Sequence, residues 1–374
     1  AGALVEVSDA EEPGSVTQLL SQPPFEEPPA SLAPEVADGA IRESLRRALS
    51  QDAGLLRLPT MRVSGATHRL VDRLRELMDE VVENVGQGQP EAAADASKLC
   101  REACTLFAVL RPYSQKAQLK TDARSCAVFL TDCLYLVHVL ILMPYTHGRR
   151  LPADRRHLTF FVDLVPQLRR LGENHFFAML RHQQEQIAVA LRPCDLGPGI
   201  SRDRTFISAE AALGAAVQHA KLATQGLASA LPAQLLQEIS GVLVGMICQN
   251  LLGKLFALHH MAPEEVGCVT ALFTSALAMC RQVLTTAGVG DRGAASAGGG
   301  VSFELEDAVP GWAALTVASN LLGSGFQRFL ESRAELSRVF KREEAIKLMQ
   351  LSWQDEQISP EDAWPMLSAG SASG

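Results

Sequence analysis

Residues 159–186 read TFFVDLVPQLRRLGENHFFAMLRHQQEQ, one long amphipathic helix entered from a short loop. Pro166 follows Val165, and proline fits the first turn of a helix but breaks its interior. The helix therefore starts around residues 163–165, with Phe160 and Phe161 packing beneath the entry. Leu168, Leu171, Phe176, Met179, Leu180 and Ile187 are its inward candidates, and it runs to about Leu191. The G-P-G of residues 197–199 then breaks the chain.

Upstream, Leu70, Leu74, Leu77, Met78 and Val81 recur at three- and four-residue spacing and share one helical face, ended by Gly86 and Gly88. A second helix is expected over residues 91–110, with Leu99, Ala103, Leu106 and Leu110 inward and Pro112 beyond its end. A third spans roughly 115–143, closed by Pro144, and is almost wholly apolar after Val128, so it must be covered on every side. Its most apolar run, residues 133–143, falls short of the about 20 residues of a membrane span and reads as a buried core helix. Downstream, helices are expected near 208–228, 232–260 and 263–287, then a Gly/Ala/Ser loop over 288–300. A helical hairpin of residues 312–331 and 336–353 completes the fold, and the tail past Gln357 frays. No convincing period-two alternation appears, and the chain reads as all-α.

Composition agrees. Apolar residues make up 47% of the 374 and aromatics only 5%, a balance that favours helices over β-sandwiches. The length suits two or more compact units or one elongated helical array. The net charge is −8 with no basic stripe among aromatics, which argues against direct nucleic-acid binding. The eight Cys form no C-x-x-C pair and read as small buried hydrophobes of a reducing compartment. Residues 1–57 form an acidic, Pro-rich stretch, expected to be a disordered linker, with a short helix flickering at 40–50 and a sharper reading as a docking segment for a basic partner. Two helical bundles follow, over 58–195 and 196–374. The chain opens on Ala rather than Met, from which a piece of a longer protein is expected.

The one G-x-G-x-x-G, residues 288–293, follows a helix and enters a Gly/Ala/Ser loop, so it lacks the strand-to-helix context of a dinucleotide site. His175 and His182 lie seven apart, wider than the usual helical metal spacing, and read as a polar flank. Asp132 and His138 stand inside the most apolar helix and need partners there, which makes them register-fixing core residues first. Trp312, Phe326, Phe329, Phe340 and Trp353 read as core at helical spacing. A terminal hairpin has neighbours on one side only, however, which keeps Trp312, Phe326 and Phe329 as protein-binding candidates. No catalytic, cofactor-binding or metal-binding residue is assigned.

Residues 159–186 closely resemble a segment from the C-terminal half of the zeste-white-ten family. Leu58-Pro59-Thr60-Met61-Arg62-Val63-Ser64, Cys133-Leu134-Tyr135-Leu136-Val137-His138 and Val309-Pro310-Gly311-Trp312 resemble it in the same order. Residues 251–257 with Ala262-Pro263-Glu264-Glu265 do so more loosely. The resemblance implies an elongated rod of stacked helical bundles of the tethering-complex type, working as a non-catalytic scaffold without cofactors. It implies two roles: a kinetochore complex with rough deal and Zwilch that recruits dynein and supports the spindle checkpoint in mitosis, and a Golgi-to-endoplasmic-reticulum vesicle tether. In the tether the partner would be the Sec-thirty-nine-like (neuroblastoma-amplified) subunit, with SNAREs reached indirectly. The implied location is cytoplasmic, peripheral on the endoplasmic reticulum and on kinetochore and spindle in mitosis, with no membrane insertion. The family's N-terminal half is absent by this resemblance. Residues 1–58 contain no Trp, unlike the coat-capturing acidic loop of the yeast relative. The rival reading is a helical-bundle enzyme or small-molecule binder using Asp132, His138 and His175.

Overall fold

The computed structural model describes residues 3–7, 58–288 and 305–352. The 40–50 helix, most of the 288–300 loop, Trp353 and the C-terminal tail lie outside the described residues, as does the side chain of Phe326.

The described chain is helical apart from one small antiparallel ribbon, β1 (Leu4–Val7) against β2 (Met61–Ser64), in which Val5 pairs with Val63 and Val7 with Met61. This corrects one expectation. Leu4–Val7 is an ordered strand rather than part of a linker, and four-residue strands are too short for period-two reading to find. The elements that follow β2 are α1 (Gly65–Gly86), α2 (Pro90–Ser114), the short α3 (Lys116–Thr121) and α4 (Ala123–Thr146). Two 3-10 turns, Gly148–Arg150 and Ala153–Thr159, lead into α5 (Leu164–Leu191). Then come α6 (Asp203–Ala228), α7 (Ala233–Ala257), α8 (Pro263–Thr286), α9 (Leu305–Ala308), α10 (Trp312–Leu321), α11 (Phe326–Glu331), α12 (Arg333–Val339) and α13 (Arg342–Ser352).

Two compact units emerge: Ala1–His182 with Gln225–Leu236, and Gln183–Thr224 with Gln237–Gly374. The boundary read from sequence at 195/196 falls inside the second unit.

In the first unit, Ser64 caps α1, its hydroxyl accepting from Thr67 N–H. α4 is the central helix, buried nearly all round from Cys126 to Leu140. It begins at Asp122, whose carboxylate accepts from Arg124 and Ser125 N–H, so the single helix expected over 115–143 is two. Pro144 lies inside α4 and does not close it. The full helix, unlike its eleven-residue core, is long and apolar enough to cross a membrane by length and composition, as are α7 and α8. In α4, 78% of the most apolar window is buried within the protein. α5 starts where Pro166 requires, with Phe161 buried under its entry and Leu168, Phe176, Met179, Leu180 and Ile187 inward. Gly172 lets α5 meet α4 closely, since a Cβ there would sit 2.9 Å from the Cys133 Cβ.

In the second unit, Lys254 Nζ donates to the carbonyls of Leu191 (2.6 Å) and Cys194 (2.5 Å), closing the orphan acceptors at the end of α5. Glu265 accepts from Gly199 N–H and Ala262 N–H, and these two bonds hold its carboxyl below the ordinary range. The expected terminal hairpin is instead the four short helices α10–α13, interrupted at Gly323 (φ 75°), Ser332 and Lys341.

Candidate interaction site

β2 delivers Ser64 to a buried polar node in the first unit. Along β2 the amides alternate in direction, so those of Arg62 and Ser64 turn away from β1. Arg62 N–H donates to Ala230 O (3.1 Å) and Ser64 N–H to Asp132 Oδ1 (2.7 Å). Ser64 Oγ donates to Asp132 Oδ2 (2.8 Å), and Arg111 Nη2 from α2 reaches the same oxygen at 3.2 Å. Thr131 Oγ1 donates to Arg62 O (2.7 Å). A carboxylate fully removed from solvent is thus met by donors from a strand end, a helix cap and a guanidinium. Burial raises the Asp132 pKa above its ordinary value, against the opposing pull of the Ser64 donors, the Arg111 charge and Thr67. Asp132 is a register-fixing core residue, as its surroundings in the sequence indicated. Its partners Ser64 and Arg111 lie 68 and 21 positions away, and nothing local in the sequence marks them.

The polar residues of the enzyme reading have different surroundings. Asp132 bonds within the node, whereas His175 packs edge-on against Phe129, ring centroids 5.5 Å apart. His138 is half-buried on α4. Among the described residues no group of three or more His, Cys, Asp or Glu side chains could hold a metal ion. All eight Cys are free and all but Cys268 are buried; burial pushes Cys100, Cys104, Cys126 and Cys248 up to about 12.

Burial also lowers the pKa of His175 and His147. Their folded values lie below the ordinary 6.5, so the stability they contribute is present above that pH and is lost as pH falls below it. Asp132, with a raised pKa, acts in the opposite direction at lower pH. Chemical denaturation at pH 7.5 and 5.5 should therefore show a smaller acid loss in His175→Gln than in the parent chain, and equal losses would remove His175 from the account.

Trp312 and Phe329, kept as protein-binding candidates, lie in the core, the reading that their helical spacing favoured. They are 4% and 0% exposed, with Arg281 lying over the Trp312 ring. Phe340 packs edge-on with Phe256. The short helices fold these aromatics inward, where a straight hairpin would have left one side open.

Exposed large apolar side chains occur elsewhere, and those that cluster on one helix are on α2. Leu99, Leu106, Val109, Leu110 and Tyr113 are between 52% and 82% exposed. Leu99, Leu106, Leu110 and Tyr113 fall on one helical face, with Val109 at its border. The inward reading of Leu99, Leu106 and Leu110 is overturned: α2 buries Ala93, Ala96, Cys100 and Cys104 instead. That row of small residues packs on the large side chains of α1, Leu74, Leu77, Met78 and Val81. Cys100 Sγ comes within 3.8 Å of Leu74 O. The signal was available as two apolar rows on one helix, small and large, of which sequence reading chose the larger.

Residues 56–189 match the family model described as centromere/kinetochore protein zw10, C-terminal. The chain is similar to the rat centromere/kinetochore protein zw10 homolog, 25% identical over 217 residues, and to the mouse homolog, 24% identical over the same length. Each alignment covers 58% of this chain and 27% of the relative, so the chain spans about a quarter of the length of the curated relatives it matches.

Proposed function

We propose, from the premise that residues 56–189 make this chain a member of the zw10 family through its C-terminal region, that it is a non-catalytic scaffold subunit of a kinetochore complex. The family match over these residues carries the reading. Within it, the chain joins rough deal and Zwilch at kinetochores, with dynein recruitment and spindle-checkpoint support as the outcome. The same surfaces serve a Golgi-to-endoplasmic-reticulum tether through its Sec-thirty-nine-like subunit. Function here is geometric: helices of about 25 residues span about 37 Å and present extended faces, and affinity comes from area and apolar anchors rather than from a pocket. The separate engagements of Asp132 and His175 support this reading over an enzyme built on them.

Co-purification of the 374-residue chain with rough deal, or with the Sec-thirty-nine-like subunit, on size exclusion tests it. A stoichiometric complex with either is the expected result. A folded chain that elutes alone in the presence of both would overturn it.

A further inference from the structure

We propose that the exposed stripe of α2 is the contact between two copies of this chain, packed antiparallel about a twofold axis near Leu106. This goes beyond the scaffold reading and does not depend on it. Leu99, Leu106, Leu110 and Tyr113, each more than half exposed, form an apolar face along α2, with Ala103 in the turn between Leu99 and Leu106.

The charges at its two ends identify the occupant. Glu91 and Asp95, both exposed, lie on the N-terminal turns of α2. Lys116 and Lys120, also exposed, lie just past its C-terminal end on α3, which is anchored by the fully buried Leu119. None of these four has an ion-pair partner among the described residues. The other charged pair near the stripe, Lys98 with Glu102, is satisfied within the helix at 3.8 Å. Asp95 and Lys116 stand nearly the same number of residues before and after Leu106, as do Glu91 and Lys120. At 1.5 Å per residue each inner charge is about 16 Å along the chain from the axis. An antiparallel pair sets Glu91 and Asp95 of each copy against Lys120 and Lys116 of the other, at both ends at once, and lays Leu99 beside the second copy's Tyr113. A parallel pair would set acid on acid and base on base. An isologous contact requires a surface complementary to itself, and this one is. An anionic membrane is a poorer fit, because the acidic end would face its headgroups.

Sedimentation velocity of the 374-residue chain from about 1 to 100 μM should show a reversible monomer–dimer equilibrium. Leu106→Glu with Leu110→Glu should abolish it with an unchanged circular-dichroism melt, since both side chains are exposed. Glu91→Lys with Asp95→Lys, and separately Lys116→Glu with Lys120→Glu, should each weaken self-association by about tenfold or more. A one-to-one mixture of the two charge-reversed proteins should restore it. A chain that stays monomeric throughout, a dimer indifferent to the leucine substitutions, or a mixture that associates no better than its components would each overturn the proposal.

Discussion

Replacing Asp132 with Ala is expected to destabilise the first unit by about 3–5 kcal/mol, the cost of breaking a buried charge pair from one side. The magnitude follows from what is left behind. Ser64 N–H and Ser64 Oγ lose their buried acceptor, and Arg111, whose Nε already lacks a partner, loses its counter-charge. The effect spreads because Ser64 is also the N-cap of α1 and the end of β2. Asp132→Asn retains an acceptor for Ser64 N–H without the charge, so it should fall between the parent and Asp132→Ala. In the Asp132→Ala background, Arg111→Met should cost less than it does alone, because the charge it removes has already lost its partner. Urea denaturation gives the midpoints, and amide exchange at Ser64 gives the local reading. A midpoint for Asp132→Ala indistinguishable from the parent's would mean that water replaces the carboxylate freely and that the node does not hold β2.

Gly241→Ala should lower the stability of the second unit by about 2 kcal/mol, against the usual sign. Alanine for glycine inside a helix normally stabilises by about 0.5–1 kcal/mol. At Gly241, however, the new Cβ would lie 2.2 Å from the carbonyl oxygen of Ala308, a backbone atom that cannot rotate away. Overpacking costs about 1–3 kcal/mol and here outweighs the propensity gain. Gly245, one turn on, is as tight: a Cβ would meet Pro310 Cδ at 2.8 Å and Pro310 O at 2.9 Å. These two glycines let the 308–310 turn lie against α7. Gly253 on the same helix has nothing within 4 Å of its Cβ position, so Gly253→Ala should raise the melting temperature. Shifts of the same sign for the two alanines would refute the close approach of the turn to the helix.

The long helices were legible because each carries its own signal. Pro166 marks the first turn of α5, the Leu74–Leu77–Met78–Val81 row marks the buried face of α1, and unbroken apolarity places α4 in the centre. The interruptions at Asp122, Ser332 and Lys341 were not, because one capping or turn residue competes weakly with a long helical pattern. Asp132 was visible as a residue in need of partners, but the partners themselves were not.

The sequence by itself determined that this protein is all-α in its main elements, where its proline-marked helices begin, and which family it resembles, since periodicity, proline position and local motifs are properties of neighbouring residues. Only the tertiary structure decided which face of α2 is covered, that Trp312 and Phe329 are core, that Leu4–Val7 pairs with β2, and that Ser64 and Arg111 close on Asp132. Each of those depends on a partner distant in the chain, and burial is settled by which surfaces meet: the small-residue row of α2 admits α1, and the larger leucines are left facing out.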